Sequence, residues 1–398
     1  MKLRLLAITE FLPCAEHSAG DRRFVGLLEI LARQHDVDLY TEFDADYLSS
    51  EDVKRSTTKL EAHGVRLLGM GWPSLARALA RKHYDVGLFE FYGTAERNAR
   101  EFRRRQPGAK VIVDSVDVHF ARERIGAEVG AFEQSRAENT RKRELTAYRN
   151  ADAIIVVTDD DERILKAEAD MPRLFVLPII MSPRPRALVD REPELIFVGG
   201  FRHSPNLDGL RWFIDEIWPR VYRVMPSTRL TIIGSETPPE IKELDTEPGI
   251  QVLGFVEDTA MHLDRAAISV APLRYGAGMK GKVVEAMSYG LPVVTTSVGA
   301  QGINGRSGEH FFVADDAADF AEALKILLGD PGRCRQMGLA GQKHIASLCS
   351  PEHIERTVAE MLDAIVPRHR SLMYWFYWRA VNAKEALRYV GRYLQLAR

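Results

Sequence analysis

The sequence is poor in cysteine, in net charge and in long hydrophobic runs, and each shortage narrows the choice of protein class. Among its 398 residues are three cysteines, Cys14, Cys334 and Cys349, whose spacing fits neither a disulfide framework nor a zinc site. We expect three buried thiols in a reducing, cytoplasmic setting. The formal net charge of -2 argues against a general nucleic-acid surface. No run approaches the roughly 20 apolar residues of a membrane span.

Hydrophobic residues make up 45% of the chain, which is enough for full cores, and the length suggests two or three domains. The apolar start, residues 1–9, is too short for a signal peptide and predicts a buried strand. Short apolar runs then alternate with helical patterns, as in a parallel, doubly wound sheet. The predicted strands lie at 3–8, 37–41, 65–68, 86–89, 111–113 and 153–157, and the predicted helices at 22–34, 121–149 and 161–168.

A proline-rich, charged segment at 182–194 divides the chain, and the alternation restarts after it. The second set of strands is predicted at 195–198, 230–233, 250–253, 268–271 and 292–295, with helices at 206–224, 316–329, 331–347 and 351–365. We therefore predict an α/β protein with domains at 1–182 and 183–350, followed by C-terminal helices at 351–398. Ligands of such sheets bind beyond the carboxyl ends of the strands, which predicts a site in the cleft between the domains.

Residues 274–296 are the most informative part of the chain, because a glycine-rich loop there leads into a short helix with cations at its start. The helix is predicted to end at Gly290, before Pro292. A helix N-terminus with nearby cations binds anions, and glycine lets the backbone approach a phosphate closely. An acid one turn later can accept hydrogen bonds from ribose. The candidate residues are Arg274, Gly276, Gly278, Lys280, Lys282 and Glu285.

This pattern predicts a site for a nucleoside diphosphate. The alternatives are a plain loop with surface lysines, and an ion pair between Lys282 and Glu285, which lie three residues apart on one helix face.

Three segments of the second half resemble the nucleotide-sugar domain of the family-4 retaining glycosyltransferases, which have the GT-B fold. They are residues 197–210, 254–258 and 276–295. The first half resembles the acceptor domain of that family more weakly, at residues 18–23, 114–120 and 151–158. The family often has two glutamates in the last segment of the second domain. Glu285 fits the second, and Ala277 stands at the position of the first.

The resemblance implies two Rossmann-like domains that face a central cleft. It also implies an enzyme that moves a sugar from a nucleotide-sugar donor to a hydroxyl acceptor with retention of configuration. A lipid-linked glycan in polysaccharide or glycolipid assembly is the acceptor that the family suggests. The donor phosphate would serve in part as the base, so the resemblance implies no metal and no separate cofactor. Two rivals remain, a GT-B nucleotide-sugar epimerase and a non-catalytic nucleotide-sugar-binding protein, the latter favoured by Ala277.

The resemblance also assigns roles in the two domains. The catalytic candidates are His119, Lys282 and Asp117, and the donor-binding candidates are Gly20, Arg202, Asn206, Arg274, Gly276, Gly278, Lys280 and Glu285. His119 would bind a sugar hydroxyl or assist proton removal, unless it is a structural histidine. Asn206 is also suited to start a helix, and Asp21, next to Gly20, is suited to an N-cap.

Two further segments have an unusual composition, one acidic and one both aromatic and basic. The acidic run at 159–161 follows a strand and opens a helix, so we expect it to favour the helix dipole rather than to bind a metal. In the tail, apolar residues repeat at helical spacing from Met373 to Leu394 among aromatic and basic residues. Such a helix either packs back on the first domain or, through residues 371–398, lies on the anionic inner face of a membrane.

Overall fold

The computed structural model describes residues 2–16, 18–43, 48–69, 72–128, 133–184, 192–276, 278–367 and 378–380. The chain divides into two compact units. The first unit contains the described residues of Met1–Phe120, Ser135–Ile180 and Ile354–Arg398, and the second contains those of Ala121–Gln134 and Met181–His353.

The first unit is built on a sheet of seven parallel strands. The strands are β1 (Arg4–Thr9), β2 (Asp36–Thr41), β3 (Val65–Leu67), β4 (Val86–Glu90), β5 (Lys110–Asp114), β6 (Ala153–Val156) and β7 (Arg173–Val176). The helices of this half of the chain are α1 (Ala19–Gln34), α2 (Ser50–Ala62), α3 (Trp72–Arg81), α4 (Phe91–Arg105), α5 (His119–Glu128), α6 (Gln134–Arg149) and α7 (Asp159–Lys166). The strand order is β3-β2-β1-β4-β5-β6-β7.

The second unit has a parallel sheet of six strands. They are β8 (Glu194–Val198), β9 (Arg229–Ile233), β10 (Ile250–Gly254), β11 (Ile268–Ala271), β12 (Val293–Thr295) and β13 (Phe312–Val313). The helices are α8 (Ser204–Trp212), α9 (Trp218–Tyr222), α10 (Pro239–Lys242), α11 (Ala260–Arg265), α12 (Gly281–Ser288), α13 (Ala317–Gly329) and α14 (Pro331–Cys349), and α15 (Pro351–Ile365) follows them. The strand order is β10-β9-β8-β11-β12-β13.

Both sheets contain the strand order of dinucleotide-binding folds, which confirms the predicted α/β class. The order reverses between β1 and β4 in the first unit and between β8 and β11 in the second. Because the chain leaves in opposite directions on the two sides of that point, a crevice opens at the carboxyl ends of the two strands. We call each of these places the switch point of its sheet.

Two predicted helices are interrupted. The helix expected at 206–224 contains a π-helical segment, Phe213–Ile217, between α8 and α9. Pro219 follows that segment, and since proline lacks an N–H and clashes with the carbonyl four residues earlier, a wider turn absorbs the misfit. The helix expected at 121–149 is split into α5 and α6, with residues 129–132 outside the described part.

Other elements end as their sequences indicate. The helix α12 stops at Ser288, Gly290 has a φ of 65°, and the Leu291 N–H donates to the Ala286 carbonyl at 3.0 Å. This is a Schellman-type end, in which only glycine takes the left-handed conformation without strain. The acidic run at 159–161 lies in the first turn of α7, as predicted, and Thr158 caps that helix.

The three cysteines are buried, as expected. The helix α15 buries Ile354, Val358, Met361 and Leu362 in the core of the first unit. The stripe predicted from Met373 to Leu394 lies outside the described residues, except for a helical turn at 378–380. Within the described ranges, every helix is too short or too polar to cross a membrane.

Candidate functional site

Two helices begin side by side at the switch point of the second unit. The strands β8 and β11 are neighbours, β8 leads through a short loop into α8, and β11 leads into α12. A Cβ on Gly209 of α8 would lie 2.3 Å from the Pro272 carbonyl oxygen, so this glycine lets α8 pack directly on the loop after β11. Neither N-cap residue, His203 or Lys280, makes a side-chain capping bond. Uncapped N–H groups and the helix dipoles favour an anion here.

Lys282 and Asn206 meet between these two helices. The Lys282 ammonium donates to Asn206 Oδ1 and lies 4.8 Å from the centre of the Phe197 ring. Asn206 Nδ2 donates to the Gly200 carbonyl at 2.7 Å, so its amide fixes the loop rather than capping α8. A Cβ on Gly199 would lie 2.6 Å from Lys282 Nζ. The absence of a side chain at Gly199 therefore makes room for the ammonium.

The charge of Lys282 is sensitive to its surroundings. Burial, and then the neighbouring ammonium of Lys280, lower the pKa of Lys282 to about 7. Its contacts within the described chain are an amide oxygen and an aromatic ring, and neither of these is ionised. An anion at this place would favour the protonated form, because opposite charge raises the pKa of an amine.

The loop before α12 contacts the side chain of Lys280. Lys280 Nζ donates to the Gly278 carbonyl at 2.5 Å and to Gln301 Oε1 at 3.2 Å. Gly276 has a φ of 141° and Gly278 a φ of 70°, values that side-chain-bearing residues disfavour. A Cβ on Gly276 would lie 3.4 Å from Lys280 Cε. Both glycines are thus needed for the path of the loop; Ala277, between them, lies outside the described residues.

Glu285 lies one turn further along α12 and is half-buried. It accepts a hydrogen bond of 3.3 Å from the Thr259 hydroxyl, at the end of the loop between β10 and α11. Lys282 and Glu285 thus engage different partners, rather than forming the ion pair that was the alternative reading.

Arg202 and Arg274 are held by acids of the same unit. Arg202 pairs with Glu236 at 2.7 Å and is 83% exposed. Arg274 Nε donates to Asp208 Oδ2 at 2.8 Å, and this bond raises the pKa of Arg274. The described contacts therefore place these two predicted donor-binding arginines in surface ion pairs. A donor would have to draw them from those pairs.

A buried ion pair lies at the carboxyl end of β5, the strand beside β4 in the first unit. Arg23 of α1 makes two bonds to the Asp114 carboxylate, at 2.9 and 2.7 Å, and two more to the Leu177 carbonyl. Both side chains are buried. Nearby, burial raises the pKa of Glu90, the last residue of β4, well above its usual range.

Gly20 lies in the first turn of α1. Ser18, and not Asp21, is the N-cap, because its hydroxyl accepts the Asp21 N–H at 2.9 Å. A Cβ on Gly20 would lie 3.4 Å from Val116 Cγ1, so the start of α1 contacts the loop after β5.

That loop carries the predicted pair His119 and Asp117 and brings them together. His119 Nδ1 lies 3.0 Å from Asp117 Oδ1 and 3.5 Å from Glu144 Oε1. The rings of Phe91 and Tyr92 meet the imidazole edge-on, with centroids 5.4 and 5.3 Å away. Glu144, Phe91 and Tyr92 are contacts that sequence reasoning missed. In the described ranges no three metal-ligating side chains are placed to share an ion.

Comparison with known sequences finds similarity to part of the second unit. Residues 192–330 match the family described as Glycosyl transferases group 1. An uncharacterized 44.6 kDa protein in a cps region of Klebsiella pneumoniae is 30% identical over 139 residues, which is 33% of this chain and 36% of that protein. D-inositol 3-phosphate glycosyltransferase of Nocardia farcinica is 30% identical over 170 residues, 40% of this chain and 38% of that enzyme. The chain thus spans little more than a third of either relative.

Comparison with solved structures covers both units. Anabaena HepE, solved in complex with UDP and glucose, superposes with a TM-score of 0.67 at 15% identity, over 91% of this chain and all of that one. The fold is therefore that of the GT-B glycosyltransferases. The match of residues 192–330 to the Glycosyl transferases group 1 family agrees with this fold.

Proposed function

We propose that this chain is a retaining glycosyltransferase that moves a sugar from a nucleotide-sugar donor to a hydroxyl acceptor. The observation that carries the proposal is the position of Lys282. Its ammonium binds Asn206 in the space left by the missing side chain of Gly199. The N-termini of α8 and α12, which have no side-chain caps, lie at the same place. The group 1 match and the UDP and glucose bound by HepE support a nucleotide-sugar donor.

The chemistry of transfer suits these residues. When the bond from the sugar to the diphosphate breaks, the leaving diphosphate gains negative charge. Cations and N–H dipoles that are already in place stabilise that charge in the transition state. At an effective dielectric constant of about 20, one cation about 4 Å from the charge contributes on the order of 4 kcal/mol. Lys282 and Lys280 fill this role in the proposal, and with two ammonium groups at the diphosphate we propose that transfer needs no metal ion.

The remaining predicted residues receive roles according to the unit in which they lie. Glu285, one turn beyond the lysines, would bind the ribose hydroxyls in exchange for Thr259. In the first unit, His119 and Asp117 would contact a sugar hydroxyl. Retention of configuration rests on the resemblance to family 4, in which a donor phosphate oxygen helps to deprotonate the acceptor.

The proposed acceptor is a glycan or a lipid-linked glycan in polysaccharide or glycolipid assembly. A relative named for its place in a cps region supports this setting. The aromatic and basic pattern of residues 371–398 supports a cytoplasmic protein that associates with the inner face of the membrane.

The test is a thermal-shift panel of UDP-, GDP-, ADP- and dTDP-sugars in the presence of EDTA. A ligand at 100 times its Kd stabilises the folded state by about 2.7 kcal/mol, so the correct donor raises Tm clearly. Lys282→Met keeps the volume but removes the charge, and we expect it to abolish the shift and to lower transfer by about 10²–10³-fold.

Lys325→Met is the matched control, because Lys325 lies on α13, a different helix from that of Lys282, and pairs there with Glu322. It should behave as wild type. A donor shift that persists in Lys282→Met would overturn the site assignment. Sugar conversion without any acceptor would point to an epimerase, and a shift without turnover to a binding protein.

A further inference from the structure

The first unit contains a buried acid to which the proposed reaction has so far given no role. Glu144, on α6, is 0% exposed. Its carboxylate accepts the backbone N–H groups of His119 at 3.1 Å and Phe120 at 3.0 Å, and the Tyr148 hydroxyl at 2.7 Å. Glu144 therefore satisfies the first N–H groups of α5 from a different helix.

The same carboxylate also approaches the imidazole of His119. Glu144 Oε1 lies 3.5 Å and Asp117 Oδ1 3.0 Å from His119 Nδ1, which is itself buried. Two carboxylates beside one ring nitrogen limit the orientations of the imidazole. The His119 side chain remains 18% exposed, so a substrate can reach the imidazole.

The backbone on both sides of the imidazole is strained. Val116 has a φ of 57°, and the Asp117 N–H donates to the Ser115 carbonyl at 2.6 Å, which closes a γ-turn around a β-branched residue. Phe91, whose ring packs on His119, has a φ of 62°. Such conformations cost about 1–3 kcal/mol each and collect at functional sites. Here, the turn at Val116 brings Asp117 to the imidazole of His119, and the conformation of Phe91 brings its own ring there.

We propose that Glu144 is a positioning residue for sugar transfer. It binds the first N–H groups of α5 and lies against the Nδ1 side of His119, so that the imidazole is held in one orientation toward a sugar hydroxyl. This inference rests on the proposed glycosyltransferase function. The rival interpretation is that Glu144 only caps α5.

The experiment compares Glu144→Gln with Tyr148→Phe in the full-length chain. Glutamine keeps the volume and an acceptor for the backbone but removes the charge beside Nδ1. Phenylalanine removes another hydrogen bond to the same carboxylate and leaves the imidazole contact in place. We expect kcat to fall at least tenfold in Glu144→Gln and less than twofold in Tyr148→Phe, with the Kd for nucleoside diphosphate unchanged in both.

A double-mutant cycle separates positioning from folding. Since Glu144 acts through His119, Glu144→Gln should cause no further loss of kcat in a His119→Ala background. Independent losses that multiply, or wild-type kcat in Glu144→Gln, would overturn the proposal. If Glu144→Gln does not fold, Glu144→Asp replaces it: the charge withdraws by one methylene, and wild-type kcat would again refute positioning. A wild-type chain that transfers no sugar refutes the proposed function instead.

Discussion

The two sheets have the same strand order around their switch points, yet the cations at their carboxyl edges have different partners. In the first unit, Arg23 is buried against Asp114 and the Leu177 carbonyl, so its charge is neutralised inside the fold. In the second, Lys282 contacts the neutral amide of Asn206 and an aromatic ring. The comparison teaches that the partner, rather than the cation, decides whether a charge supports folding or remains available to a ligand.

Removal of the Arg23 charge should have the largest effect, which is a loss of stability. Arg23→Met leaves the Asp114 carboxylate buried without its partner, which typically costs 3–5 kcal/mol. We expect a loss of about this size in the free energy of unfolding, measured with urea by circular dichroism.

The control for this prediction is Arg23→Met combined with Asp114→Asn, which removes the orphaned charge and should recover part of the loss. If Arg23→Met were as stable as wild type, the contrast between a structural and a functional cation would fail. Lys282→Met should unfold close to the wild-type denaturant concentration, since it leaves no buried carboxylate behind.

We expect a smaller effect from Gly199→Ala, which should weaken donor binding without changing stability. The new Cβ would lie 2.6 Å from Lys282 Nζ and 2.9 Å from the Asn206 amide, both of which end flexible side chains that can move. The fold should survive, but displacement of the ammonium should weaken donor binding by about tenfold, or roughly 1.4 kcal/mol.

Isothermal titration with the donor found in the thermal-shift panel measures this change. Gly308→Ala is the control, since a Cβ there meets open space, although its φ of 84° adds local strain. Unchanged donor affinity in Gly199→Ala would show that the position of Lys282 does not depend on this glycine.

The third effect should be a dependence of donor affinity on pH, which develops only above pH 7. The pKa of Lys282 is about 7 in the free protein, and a bound diphosphate raises it. Below pH 7 the free ammonium is already charged, so affinity should be level. Above pH 7 binding must take up a proton, so affinity should fall by up to tenfold per pH unit until the pKa of the complex is reached.

A nucleotide sugar is the right probe, because its diphosphate does not titrate in this range. Calorimetry between pH 6.5 and 9 in buffers of different ionisation enthalpy reports the proton uptake directly. Lys282→Met should remove the pH dependence. A flat profile in the wild-type chain would mean that the ammonium stays charged when the site is empty.

Most of the fold could be predicted because strong apolar runs and glycine or proline stops mark the central elements. The short strands β7 and β13 were missed. They have four and two residues and lie at sheet edges, where partial burial weakens the hydrophobic signal. The π-helical turn before Pro219 was also missed, since helical periodicity alone does not show how a chain adapts to a proline.

The site could be predicted where it is local in sequence. Gly276, Gly278, Lys280 and Lys282 belong to one loop and helix, and their spacing alone indicated an anion site. Pairing over long distances could not be read in this way. Asp208 lies 66 residues before Arg274, and no local pattern connects them.

Glu144 illustrates the same limit in the first unit. It sits among many charged residues of α6, 25 residues from the N–H group that it caps. A signal was present in the spacing of Glu144 and Tyr148, which bond to each other one helical turn apart. An acid and a tyrosine at this spacing fit a buried pair, but the pattern is too common to identify a site.

The neutral partner of Lys282 has a practical consequence for purification and assay. An ammonium that faces an amide in the empty site attracts small oxyanions as well as nucleotides, because sulfate and inorganic phosphate carry the same kind of charge and hydrogen-bond acceptors. These buffer ions compete with the donor for the same helix N-termini. Affinities should therefore be measured in chloride with an amine or sulfonate buffer, and crystals grown from ammonium sulfate would retain the salt where we propose that the diphosphate binds.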